Sequence, residues 1–152
     1  MAQRIRIDES LTIGPQPSRE QIKDLARSGF KTVVNFRTTG EEGEPHSPHE
    51  ERGVVESEGM QYLHVPVSMS SMNAEVVDRF RERIESLPEP IYAHCKSGTR
   101  AGAMFMMHLA AEKGLTGRRT LEQAELLGFK CDKQELKDFV KHYVDDHSNA
   151  RR

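Results

Sequence analysis

A chain of 152 residues with 22 basic and 24 acidic side chains, formal charge -2, has no basic field with which to collect the phosphates of a nucleic acid. Hydrophobic content of 36% and charged content of 30% describe a globular composition, read here as one domain over 1–152 with its core at about 4–144 and a polar, frayed tail from Asp145. Two cysteines form no disulfide framework and give no metal spacing with the scattered histidines, Met1 to Ser10 has no apolar centre, and the longest apolar run, Ala101 to Ala111, is too short for a membrane and broken by His108. The expectation is a cytoplasmic protein with no membrane partner, no nucleic-acid partner, no metal and no cofactor.

Arg4 to Asp8 alternates charge with Ile5 and Ile7, and Leu11 to Ile13 adds a second apolar piece, so the N-terminus reads as a strand or hairpin at a sheet edge. Ser18 with Gln21 forms a capping box ahead of Ile22 and Leu25, and Gly29 ends that helix. Lys31 to Phe36 is a buried strand. A loop rich in Gly and Glu follows, then Ser47-Pro48-His49-Glu50 opens a helix from about Pro48 to Glu58. Tyr62 to Val67 is the next strand, with Pro66 disfavoured at a central hydrogen-bonded position. Asn73 caps a helix carrying Val76, Val77, Phe80, Ile84 and Leu87.

Pro88 and Pro90 then deliver the chain to Ile91-Tyr92-Ala93-His94-Cys95, and a helical pattern runs from Ala101 to Gly114. Thr116 to Leu127 reads as another helix, and Asp132 caps a last one with Leu136, Phe139, Val140 and Tyr143. Strands alternating with helices predict an α/β domain with a central, mostly parallel sheet flanked by helices, the cysteine strand in the middle. The C-terminal strand ends are where such sheets place their sites.

Cys95 stands at that position. The loop Lys96-Ser97-Gly98-Thr99 between Cys95 and Arg100 offers backbone N–H groups to an anion, with the positive end of a helix behind it. The same field favours a thiolate, so Cys95 is expected to be a nucleophile near neutral pH. Arg100, at a helix start where a cation opposes the dipole, is expected to clamp the anion. Gly98 supplies the curvature, while Lys96, Ser97 and Thr99 are candidate substrate-binding residues. His94 is read as orienting the loop through a hydrogen bond. Arg37 either lines the pocket or, the preferred reading, pairs with Glu41 or Glu42. Cys131 is read as structural, with a resolving thiol as the alternative.

The segment His94-Cys95-Lys96-Ser97-Gly98-Thr99-Arg100 resembles the signature loop of cysteine-dependent phosphatases. With Gly14-Pro15-Gln16-Pro17-Ser18, the Gly29 to Arg37 strand and the Tyr62 to Val67 strand, the chain is similar to the beta-lactamase-hydrolase-like, phosphatase-like bacterial family over Leu11 to about Lys113. That resemblance implies the compact dual-specificity phosphatase fold. It differs in three places. Four residues separate Cys95 from Arg100, where phosphatases have five, and that length looks like rhodanese-type sulfurtransferases. The loop Ser68-Met69-Ser70-Ser71-Met72 holds no carboxylate where phosphatases place a general acid, leaving Glu41, Glu42 and Glu44 as substitutes. Ala101 stands where phosphatases carry a hydroxyl.

Loop length and missing acid favour a sulfane-sulfur substrate held as a Cys95 persulfide and passed to a thiol acceptor. The alternative is hydrolysis of phosphotyrosine or another phosphomonoester, on a small molecule or a phosphoprotein, through a phosphocysteine. A reading from another class is an anion-binding module without catalysis.

Overall fold

The structure, a computed structural model, describes residues 4–40, 43–68, 70–96, 98–129 and 133–149, the side chains of Ser148 and Asn149 excepted. Glu41, Glu42, Met69, Ser97, Cys131 and Asp132 lie outside the described residues.

Five strands are described: β1 (Ile5–Asp8), β2 (Leu11–Pro15), β3 (Thr32–Asn35), β4 (Gln61–His64) and β5 (Ile91–Cys95). They form one sheet in the order β1-β2-β5-β3-β4. β1 pairs antiparallel with β2 as an edge hairpin, and every other pairing is parallel. β5 inserts between β2 and β3, so Cys95 sits beside Pro15 while His94 sits beside Asn35. The cysteine strand is central, and its C-terminal end lies level with those of its neighbours.

The helices α1 (Arg19–Arg27) and α2 (Pro48–Ser57) cover one face. Each starts in a capping box, Ser18 with Gln21 and Ser47 with Glu50, and Pro48 takes the first turn of α2, where its missing N–H costs nothing. Ile22 and Leu25 of α1 and Val55 of α2 pack there with Val33, Tyr62 and Tyr92. The other face carries α3 (Ala74–Ile84), α4 (Thr99–Lys113) and α6 (Gln134–Asn149), with α5 (Gly117–Leu127) against α4 and α6. Its core joins Val34, Phe36, Leu63, Phe80, Ala93 and Cys95 to Phe105, Leu136 and Val140. Phe36, Phe80 and Phe105 meet edge to face with centroids 5.0 to 6.1 Å apart, each pair worth ~0.5–1.5 kcal/mol beyond its buried area.

Four boundaries differ from the sequence reading. β4 ends at His64 rather than Val67: Val65 and Val67 still donate to Asn35 O and Phe36 O, but Pro66 between them has no N–H and interrupts the ladder. α3 ends at Ile84, and Leu87 packs on the core from a turn in which its N–H reaches Ile84 O. α4 begins at Thr99, directly after Gly98, whose φ of 95° only glycine adopts readily. The tail read as frayed from Asp145 continues as α6 to Asn149. There Asp145 accepts from Gly117 N at 2.7 Å, and the His147 ring stacks on Tyr143 at 3.8 Å.

No helix among the described residues is long and apolar enough to cross a membrane.

Candidate active site

The strand ends and α4 meet at Cys95. Its side chain is 1% exposed, and Sγ accepts the Gly98 N–H at 3.1 Å. Three residues after the cysteine the backbone turns left-handed, points an N–H back at sulfur and enters α4. A charge-bearing sulfur there has a donor and the positive end of a 15-residue helix beside it.

Gly98 lies against Gly14 of β2, where a Cβ on Gly98 would stand 3.6 Å from the Gly14 oxygen. Gly14 is closer still to its neighbours: a Cβ there would lie 2.5 Å from the Tyr92 hydroxyl, which donates to Pro15 O at 2.6 Å. Burial pushes the Tyr92 phenol up to about 12, so it remains a donor throughout the working range.

Arg100 is half-buried and donates from Nη1 to Val67 O at 3.0 Å, tying α4 to the segment after β4. That segment is built from serine hydroxyls: Ser68 Oγ lies 3.1 Å from Ser70 Oγ and 3.0 Å from Ser71 Oγ. Lys96 is exposed and lies under the glutamate-rich loop, a Cβ on Gly43 falling 3.8 Å from Lys96 Cε. Glu44 in that loop accepts from Gly40 N at 3.2 Å through Oε1, and its Oε2 is buried without a hydrogen-bond partner among the described residues.

Arg37 is 2% exposed and donates from Nη1 to Gln16 Oε1. His64 Nε2 lies 2.6 Å from Arg37 O. Of the residues read from the sequence, the structure brings Cys95, Gly98, Arg100 and Lys96 to one strand end, with Thr99 opening α4. Glu44 sits in the loop whose Gly43 covers Lys96. Ser97, Glu41 and Glu42 are outside the described residues.

Beneath the site lies a charged group that the sequence reading passed over. Glu51 of α2 has no exposed surface. Its Oε2 is 2.6 Å from His94 Nε2, and its Oε1 is 2.9 Å from His46 Nε2 and accepts from Gln16 Nε2 at 3.0 Å. Burial pushes its carboxyl up. The His94 hydrogen bond, the His94 charge and the bonds from His46 and Gln16 outweigh that, so the net shift is below the ordinary 4.5. Tyr62 is raised, by burial and then by the Glu51 charge. The sequence did hold a signal: Pro48, Glu51 and Val55 recur at helical spacing as the buried stripe of α2, and a glutamate in such a stripe asks for buried partners.

No group of three or more His, Cys, Asp or Glu side chains among the described residues is placed to hold a metal ion.

Residues 4–112 match the family model described as "Beta-lactamase hydrolase-like protein, phosphatase-like domain". The chain belongs to this family. A beta-lactamase hydrolase-like protein of Agrobacterium fabrum is 30% identical over 149 residues, 97% of this chain and 31% of the relative. The phosphatase-like domain thus spans about a third of the curated relative's length. Solved structures share its fold. The DUF442 protein of Shewanella putrefaciens superposes with a TM-score of 0.81 at 16% identity, over 96% of this chain and 93% of that one. P. aeruginosa TpbA, a cysteine-to-serine variant in complex with phosphotyrosine, gives 0.76 at 20% identity, over 97% and 88%. The phosphatase-like domain is therefore an α/β fold of the protein-tyrosine-phosphatase type, as the signature loop implied.

Proposed function

We propose that this domain is a cysteine-thiolate transfer enzyme in which Cys95 accepts a group from an anionic donor, holds it covalently and yields it to a second nucleophile. The observation that carries this is Sγ buried at the end of the central strand, 3.1 Å from the Gly98 N–H, with Arg100 the second residue of α4. Arg100 and the loop N–H groups take the donor's negative charge, with Lys96 steering it in.

Sulfane sulfur is the group this site suits best. The Cys95 thiolate attacks the outer sulfur of a thiosulfate-type donor. The donor S–S bond breaks, the leaving group departs with the electron pair, and a Cys95 persulfide remains. An acceptor thiolate then takes the terminal sulfur and Cys95 is regenerated as thiolate. Neither step needs a proton donor, which agrees with Ser68 to Met72 carrying no carboxylate and with a loop of four residues rather than five.

The second reading is phosphomonoester hydrolysis. It is supported by the family's phosphatase-like character and by Glu44, whose Oε2 is buried and without a described partner in the loop over Lys96. There Cys95 attacks phosphorus, the alkoxide or phenolate leaves with a proton from an acid, and water clears the phosphocysteine.

Intact-mass measurement after incubation with thiosulfate separates the two. The expected result is a species one sulfur heavier that maps to Cys95 and is missing in Cys95→Ser. Absence of that adduct, with aryl-phosphate hydrolysis lost in Cys95→Ser, would replace the first reading by the second. Neither reaction, with phosphopeptide binding dependent on Arg100, would leave an anion-binding module.

A further inference from the structure

β5 sends alternate side chains to opposite faces of the sheet. Ile91, Ala93 and Cys95 belong to the core under α3, α4 and α6, while Tyr92 belongs to the cluster under α1 and α2 and His94 meets Glu51 of α2. The thiol and the imidazole are neighbours in sequence yet lie across the sheet from one another, so His94 does not take a proton directly from Cys95.

The His94 face nevertheless holds a group the group-transfer mechanism leaves unused. The Glu51 carboxylate is wholly buried, which is costly unless every oxygen is compensated. Its compensation comes from the ends of the elements that surround the cysteine loop. His94 lies at the end of β5, Gln16 follows β2, His46 precedes α2, and Arg37, two residues past β3, donates to Gln16 in turn. Tyr92 and Tyr62 also face Glu51, with the Arg4 guanidinium over the Tyr92 ring and the Arg52 guanidinium over the Tyr62 ring. Among the described residues, Arg100, Lys96 and Glu44 are the charged groups at or beside Cys95 on the other face of the sheet.

We infer that Glu51 is a positioning residue for Cys95: by gripping the His94 imidazole it fixes the last peptide of β5, from which the cysteine loop springs, and keeps Sγ under the Gly98 N–H. The inference rests on Cys95 being the nucleophile and on neither choice of transferred group.

Alkylation of Cys95 by iodoacetamide tests it, followed against pH by peptide mapping so that Cys131 is counted separately. No sulfur or phosphoryl donor is required, so failed transfer assays leave this inference standing, and its failure leaves the transfer reading standing. Glu51→Gln keeps the volume and removes the charge. A negative charge lost only through space would let Cys95 react at lower pH, whereas a lost grip withdraws the Gly98 donor and moves the profile to higher pH.

The expected result is a profile displaced upward by about one unit, with the rate about tenfold lower at any pH below both midpoints, as the thiolate fraction dictates. His94→Ala should do the same, and the double variant should be no worse than His94→Ala alone. Ser47→Ala weakens the same helix at its cap and should lower Tm while leaving the profile in place. An unmoved or downward profile in Glu51→Gln, an additive double variant, or an equal shift in Ser47→Ala overturns the inference. Should Glu51→Gln not fold, His94→Gln decides. Its amide can still donate to Glu51, so a wild-type profile beside a shifted His94→Ala supports the inference, and equal profiles in the two overturn it.

Discussion

Gly14→Ala places a methyl group where the packing allows none. The ideal Cβ lies 2.5 Å from the Tyr92 hydroxyl and 3.0 Å from Arg4 Cγ. Arg4 can swing away. Tyr92 cannot: it is 1% exposed, meets Phe30 edge to face at 6.1 Å, and its hydroxyl is committed to Pro15 O. Overpacking of a closed core costs ~1–3 kcal/mol. Displacing the hydroxyl forfeits a hydrogen bond worth about 1 kcal/mol. The sum is a destabilisation of about 2–4 kcal/mol, read as a lower urea midpoint at unchanged slope.

Tyr92→Phe sharpens the test. Alone it should cost about 1 kcal/mol by leaving Pro15 O without its donor. In the alanine background it removes the clashing oxygen, the nearest ring atom then standing 3.3 Å away, so the two changes should couple by at least about 1 kcal/mol. Additive effects, or a Gly14→Ala protein within about 0.5 kcal/mol of wild type, would refute the reasoning.

Gly98→Ala forces a β-carbon into the left-handed region at φ 95° and should cost about 1–2 kcal/mol in urea unfolding while slowing Cys95 alkylation; an unchanged midpoint and rate would deny the turn its role. The Glu51 carboxyl is held below its ordinary 4.5, so the stability it contributes is fully present above that value and lost as pH falls through the lowered folded one. Glu51→Gln should therefore be less stable than wild type at pH 7, the gap narrowing on acidification; a gap constant with pH would count against the buried anion. Asp145→Ala removes the acceptor for Gly117 N and should cost about 1–2 kcal/mol, measurable as a drop in Tm, whereas a frayed residue would show none.

The alternation of strands and helices, the central place of β5 and the location of Cys95 were legible because each is written in local pattern: apolar runs, capping boxes and glycine stops. The overlong readings of β4 and α3 share a cause. Val65 and Val67 are buried and Leu87 is partly buried against the core, and such packing continues after a strand or helix has ended, so periodicity alone extends the element. The tail was misread for the opposite reason: Asp145 and His147 are polar, and their partners Gly117 and Asp78 lie far away in sequence. Glu51 was hidden in the same way. An acidic residue in the first turn of α2 looks like a complement to the helix dipole, and only the fold reveals His94, His46 and Gln16 around it.

The family match ends at 112, one residue short of the last residue of α4. The physical unit does not end there. α6 contributes Leu136, Val140, Tyr143 and Val144 to the core, none more than 5% exposed. At ~1.5–3 kcal/mol for each large apolar side chain, they supply roughly 6–12 kcal/mol, comparable with the whole net stability of a domain. A fragment trimmed to the matched segment would keep every residue of the cysteine loop and lose the cover over the helix that carries it. For expression, fusion or grafting of this domain, the cut belongs beyond α6.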